Sequence, residues 1–378
     1  MDLPPFRLDR WLEQKQSPGS PIQYDLGSST GPVWTLRELL ALAPGTPLDA
    51  LLDTAISYTS AIGTPALRAA IAALEGVDPD TVQVVTGGSE ALLILFFLAA
   101  EPGANVVLPN PGYPVYSPLA ESLGIAVRYY NLRAENQFRV DPDEIRTLVD
   151  RDTRFLVVNS PHNPTGAVVG DREMESLHDF CAERGVQFVS DQVYHPIYHG
   201  SEMRTAARLP HATVISDFSK ALCLSGLRIG WMIDRDPARR ERYLNARNYF
   251  TVTANVLGER LATLALEHSN EVYGRARKIA GQNLALLDEV FARHSHTIRW
   301  VRPAGGMTAF PSLAGATDTR EFCRTLAANG VLIVPGDCFG QPRHFRLGFA
   351  ASAERFPRAL ARLDEFLTAA TRTATAHS

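Results

Sequence analysis

Thr81-Val82-Gln83-Val84-Val85-Thr86-Gly87-Gly88-Ser89-Glu90-Ala91 passes from a short β-branched run, through two glycines, into an apolar stretch that continues to Ala100. Branched side chains favour extended backbone, and the glycines permit a tight turn into a helix. The same grammar recurs downstream. Val106-Val107-Leu108, Phe155-Leu156-Val157-Val158, Gln187-Phe188-Val189 and Thr213-Val214-Ile215 are short apolar runs, each followed by loop signals and usually a helical segment. Upstream, Thr64-Pro65 opens a helix that continues through Leu74, with the hydroxyl as cap and proline in the first turn. Strands that are apolar on both faces and alternate with helices predict an α/β fold. Its large domain is a three-layer αβα sandwich around a mainly parallel sheet. Ligands of such sheets bind at the carboxyl ends of the strands.

After about residue 240 the pattern changes. Helical stretches over 255–267 and 272–291 lead into strands near 298–301, 307–310, 331–334 and 345–347, then a closing helix over 352–370. This predicts a smaller α+β domain over 261–378, beside a large domain over 46–260. Residues 1–45 are rich in proline and serine, with one short amphipathic helix from Leu8 to Gln14, and are expected to form an arm packed on the small domain. The last eight residues, Thr371 to Ser378, are expected to fray.

The 378 residues are 45% hydrophobic and 21% charged, ordinary globular values, and the formal charge of -4 gives no electrostatic case for nucleic acid or an anionic membrane. Cys181, Cys223, Cys323 and Cys338 stand apart from one another, which argues against a zinc site or disulfide framework and fits a reducing cytoplasm. Met1-Asp2-Leu3-Pro4-Pro5 has neither a basic start nor an apolar core for secretion, and the apolar run Ala91 to Ala100 is half the length a bilayer demands. A soluble, cytoplasmic protein is expected.

Chemistry gathers at the predicted strand ends. Ser216-Asp217-Phe218-Ser219-Lys220 is followed eight residues later by Arg228, in a turn bounded by Gly226 and Gly230. A lysine amine there suits a cofactor aldehyde, and the arginine suits the cofactor's phosphate. Gly88 and Ser89 let backbone N–H groups converge on a phosphate at a helix start, although a plain tight turn reads equally well. In Pro109-Asn110-Pro111-Gly112-Tyr113-Pro114-Val115-Tyr116, Tyr113 is placed to stack on a flat ring; core tyrosines in a stiffened loop are the alternative. Asn163, in Asn159-Ser160-Pro161-His162-Asn163-Pro164-Thr165-Gly166, can hydrogen-bond a phenolate. Asp191 can keep a ring nitrogen protonated and Tyr194 can reach the ring hydroxyl, with a helix cap as the plainer role for Asp191. Arg346 lies in the apolar run Phe345-Arg346-Leu347-Gly348-Phe349. Its planar fork suits a substrate carboxylate, against a structural salt bridge.

With Tyr58-x4-Gly63-Thr64-Pro65-x-Leu67-Arg68, these motifs resemble the class I/II aminotransferases, the aspartate aminotransferase-like, fold type I group that uses pyridoxal 5'-phosphate. The resemblance runs from about residue 22 to 365. It implies that Lys220 is the Schiff-base lysine and proton shuttle and that Asp191 pairs with the pyridinium nitrogen. Asn163 and Tyr194 would hold the ring oxygen, and Tyr113 would stack on the ring. Gly88, Ser89, Glu90 (through its backbone), Ser219 and Arg228 would cradle the phosphate. Arg346, with Asn163 and Gly27, would bind the substrate, and Lys220, Asp191 and Tyr194 would form the catalytic set. Tyr58 matches a tyrosine that family members lend to the partner subunit's phosphate, so a homodimer with shared sites is implied, acting on an amino acid and a 2-oxo acid.

Three departures stand out. Asp217 replaces the serine or glycine common three residues before the lysine; phosphate would repel it, so it is expected to turn toward a cation, namely Arg228, Lys220 or a basic substrate group. Asp25-Leu26-Gly27-Ser28-Ser29-Thr30-Gly31-Pro32 replaces the usual Gly-x-Pro-x-Phe loop, and Gln192 replaces a glutamate. Together they resemble a branch of antibiotic pathways whose enzymes act on arginine or its hydroxylated derivatives, with Asp217 or Asp25 holding the cationic end. Three functions follow: a transaminase, a same-fold enzyme that oxidises, eliminates or cyclises such a substrate, and a non-catalytic cofactor-binding regulator. The last is disfavoured because every catalytic group is kept. Selection of the substrate side chain falls to loops around Trp34, Phe250, His195 and Thr308.

Overall fold

The computed structural model describes residues 3–43, 45 and 48–375. The N-terminal arm carries β1 (Tyr24–Asp25). The central sheet has seven strands: β2 (Val82–Val85), β3 (Asn105–Asn110), β4 (Ala126–Asn131), β5 (Thr153–Asn159), β6 (Gln187–Asp191), β7 (Ala212–Asp217) and β8 (Gly230–Asp234). Their order is β2-β8-β7-β6-β5-β3-β4, with every pairing parallel except those of β8.

Alternation along the strands builds the layers. Leu156 and Val158 join one core and Phe155 and Val157 the other; Val214 and Ile215, like Trp231 and Met232, divide the same way. Neither face meets water, so continuous apolar runs are required rather than polar alternation. The first core is closed by Leu67 and Ile71 of the helix Pro65–Glu75 and by Met174, Leu177 and Cys181 of Asp171–Arg184. The second is closed by Ile94, Leu95 and Phe96 of Gly88–Ala99 and by Tyr243 and Ala246 of Pro237–Phe250.

The Pro65–Glu75 helix starts where expected, but the Thr64 hydroxyl does not cap it. Instead the Thr64 N–H donates to Glu259 Oε2 at 2.6 Å, binding this helix start to the helix Val256–Glu267.

The smaller sheets are short. β9 (Ile298–Arg299) pairs with β11 (Ser312–Leu313), and β10 (Thr308–Ala309), β14 (Phe345–Gly348) and β13 (Val334–Pro335) form an antiparallel trio in the order β10-β14-β13. β12 (Val331–Leu332) runs parallel to β1, and Trp11 Nε1 donates to the Ile333 carbonyl at 2.7 Å, so the arm packs on these strands. The arm's helix ends at Leu12 and continues as a 3-10 turn over Glu13–Gln16. The closing helix spans Arg355–Thr375, past the point where fraying was expected; residues 376–378 lie outside the described residues. A side chain at Gly348 would place its Cβ 1.7 Å from the Ser28 carbonyl oxygen. Glycine there lets the loop after β1 lie directly on β14, with the Gly348 N–H donating to Leu26 at 2.6 Å. No helix among the described residues is long and apolar enough to cross a membrane.

Candidate active site

Parallel pairing brings strand ends together. Asn159 on β5 is in register with Asp191 on β6, and Asp191 with Ile215 on β7. Gly88, Ser89, Tyr113, Asn163, Asp191, Tyr194 and Lys220 line one cavity above these ends.

Asp191 is 5% exposed and its carboxylate accepts a hydrogen bond from the Tyr116 hydroxyl and one from the Val193 N–H at 3.3 Å. Burial pushes its carboxyl up to about 6, and those two bonds pull the other way. A buried carboxylate held this way gains from a cationic N–H partner. Asn159 donates to the Asp191 carbonyl at 3.0 Å and accepts from the Asn163 N–H at 2.8 Å, which locks the two loops in one geometry.

Arg346 is 1% exposed. Its Nη1 donates to Asn163 Oδ1 at 3.1 Å, its Nη2 donates to the Gly27 carbonyl at 2.8 Å, and its Nε has no partner. Among the described residues it forms no ion pair, so the structural salt bridge weighed from sequence is absent. An isolated buried guanidinium is costly, and a substrate carboxylate relieves that cost. Lys220 Nζ donates to Ser29 Oγ at 3.1 Å, and the Tyr194 hydroxyl donates to the Ser29 carbonyl at 3.2 Å. Tyr113 is half-buried and edge-on to Tyr116, with ring centroids 5.7 Å apart, and desolvation raises its phenol above the ordinary value.

Near Lys220 a helix start meets an arginine. Gly87, at φ +78°, turns the chain into the Gly88–Ala99 helix, and a Cβ there would sit 2.7 Å from Arg228 Nη2. Arg228 Nη1 donates to Ser219 Oγ at 3.3 Å and to the Ser225 carbonyl at 3.1 Å. The Glu90 side chain turns away, accepting from Thr86 N–H and Thr251 and lying 3.6 Å from Arg247 Nε, which leaves the backbone as its contribution. Asp217 departs from expectation. It turns to backbone rather than to a cation, with Oδ2 accepting from Gly88 N–H at 3.3 Å and Oδ1 from Ser219 N–H at 2.9 Å. Asp25 is likewise committed, to Lys15 at 2.6 Å and the N–H groups of Gly27 and Ser28. An amine, a buried carboxylate across the cavity and a helix start beside an arginine form the donor set that pyridoxal 5'-phosphate requires.

A family model described as aminotransferase class I and II matches residues 35–363. The chain belongs to that family. Capreomycidine synthase from Streptomyces vinaceus is 34% identical over 370 residues, covering 97% of this chain and 94% of that protein. Valine–pyruvate aminotransferase from Mycobacterium tuberculosis is 30% identical over 387 residues, covering 97% of each. The crystal structure of a PLP-dependent aminotransferase from Streptococcus suis superposes with a TM-score of 0.91 at 30% identity, over 97% of this chain and 98% of that one. The fold is the aspartate aminotransferase-like fold type I, and pyridoxal 5'-phosphate is this aminotransferase's cofactor.

Not every residue named from sequence enters the cavity of this aminotransferase. Tyr58 is 84% exposed and lies outside that cavity. Trp34 lies under Arg275, His195 bonds Tyr198, and Thr308 bonds the Pro164 carbonyl; none lines the cavity around Lys220. Sequence reasoning missed Tyr116, Ser29 and Asn159. All three stand inside motifs that drew attention, but the loops decide which side chain turns inward.

Proposed function

We propose that this chain moves the α-amino group of an L-amino acid to a 2-oxo acid, with Lys220 carrying the proton. When bound, pyridoxal 5'-phosphate supplies an aldehyde for the amino group and a ring that accepts the electron pair released at Cα. Lys220 would act as the proton shuttle, taking the proton from substrate Cα on its amine and giving it back. Asp191 would hold a proton on the ring nitrogen, Asn163 and Tyr194 would hold the ring oxygen, and Tyr113 would pack on the ring. Arg346 takes the substrate carboxylate with Asn163 and Gly27 beside it, while Gly88, Ser89, the Glu90 backbone, Ser219 and Arg228 receive the phosphate. The reading rests on one observation: Lys220 and Asp191 face a single cavity.

A second copy completes the site in this reading. Tyr58, Ile56 and Leu52 are 84%, 76% and 71% exposed on one segment, an outward apolar surface with a phenol that suits a homodimer. The cysteines are all free and buried, which supports a reducing cytoplasm.

A second reading, chemistry beyond amino transfer on a cationic substrate, draws on Asp217 in the cavity wall and on the 34% identity to capreomycidine synthase. One assay separates the two. Holoenzyme is mixed with pyruvate and single amino acids, arginine included, and products are weighed by mass spectrometry. Transamination requires alanine in one-to-one yield with a 2-oxo acid; loss of the amino acid without alanine would overturn it in favour of the second reading.

A further inference from the structure

The two N–H groups best placed to receive a phosphate oxygen are already hydrogen-bonded. Gly88 N–H, the first of the Gly88–Ala99 helix, and Ser219 N–H, next to the reactive lysine, both donate to the Asp217 carboxylate. That carboxylate is buried at 7% exposure and ends β7 opposite Gly230. Gly230 packs against the same turn, where a Cβ would sit 2.8 Å from the Gly87 carbonyl carbon and 2.9 Å from the Ser216 carbonyl oxygen. Arg228, the cation of the cradle, is bonded to Ser219 Oγ and the Ser225 carbonyl, and among the described residues it makes no ion pair with Asp217.

We propose that Asp217 is an internal anion of the phosphate cradle, competing with the cofactor's phosphate for the N–H groups of Gly88 and Ser219. The proposal rests on the reading that this cradle receives the phosphate. Its consequence is a cofactor held more loosely through its phosphate than a neutral side chain at 217 would allow. A dianionic phosphate must either displace the carboxylate or lie against it, and like charges a few ångströms apart in a partly buried site repel. The penalty falls on the phosphate alone, so pyridoxal, which lacks it, is spared.

The test is equilibrium binding to the apoprotein. Pyridoxal 5'-phosphate and pyridoxal are titrated separately into native protein, Asp217→Asn and Asp217→Ser, following the absorbance of lysine-bound cofactor, with circular dichroism to verify the fold. Asn keeps the acceptor oxygen and the shape; Ser removes the reach. Both variants should bind pyridoxal 5'-phosphate about tenfold to a hundredfold more tightly than native, while pyridoxal affinity changes less than about threefold. Equal affinity for pyridoxal 5'-phosphate, or a matching shift for both ligands, would overturn the proposal. Absence of lysine-bound absorbance with either ligand in all three proteins would instead sink the cofactor reading and the proposal with it.

Discussion

Burial beside Tyr116 and Val193 sets the Asp191 carboxyl at about 6, against 3.8 for an unburied one. The raised value fixes a sign. The folded apoprotein binds this proton more tightly than the unfolded chain does, so its contribution to stability is full below about pH 4. It is lost as the pH rises through about 6. An Asp191→Asn variant has no such dependence. The stability of native apoprotein relative to that variant should therefore fall by roughly 2 kcal/mol between pH 4 and pH 7, measured by denaturant unfolding. A constant difference would mean that Asp191 is not the buried acid described. Lys220→Ala should keep the fold, lose the absorbance of lysine-bound cofactor, and lose turnover by about a thousandfold or more, checked by spectrum and steady-state assay. At this scale the sequence was informative where chemistry restricts the residue type: a lysine and an aspartate at neighbouring strand ends have few structural excuses. Tyr116 was not legible. Tyr113 and Tyr116 share a proline-stiffened loop, and only the folded loop sends one against the cavity and the other to Asp191.

Arg247 joins three elements. It is fully buried, 3.6 Å from Glu90 on the cradle helix, and donates to the Ala61 carbonyl in the loop that follows Tyr58. Glu259 closes the cluster from the helix Val256–Glu267, accepting from Thr59 Oγ1 at 3.2 Å and Thr64 N–H at 2.6 Å. Arg247→Ala leaves two buried carboxylates without their cation and should cost about 3–5 kcal/mol in denaturant unfolding. A loss below about 1 kcal/mol would show that the cluster does not organise the loop. None of this was readable from the chain, because the contacts of Arg247 with Glu90 and Ala61 join residues more than 150 positions apart. The bond from the Thr64 N–H to Glu259 was hidden likewise, since its two residues lie far apart in sequence. The arm behaves alike. Ser29 reaches Lys220 across 191 residues, a contact that no local pattern encodes.

The whole molecule was legible at the level of layers. Strands apolar on both faces demanded two covered sides, and two cores are found. Strand order was not, nor the antiparallel placement of β8, since strand propensity is indifferent to direction. The proposed shared dimer makes a prediction that only an assembly can satisfy. Mixed dimers of Tyr58→Ala and Lys220→Ala chains contain one site with both native residues, so mixing the two weak variants under exchange should restore activity toward half of native per mixed dimer. No recovery, with mixed dimers present by mass, would place Tyr58 outside the partner's site. The measurement that bears most directly on amino transfer is a single-turnover absorbance trace of holoenzyme mixed in air with one amino acid and no 2-oxo acid. The account predicts conversion of the cofactor to its stable amine form, reversed on adding a 2-oxo acid. Return of the aldehyde form unaided, with oxygen consumed, would contradict it.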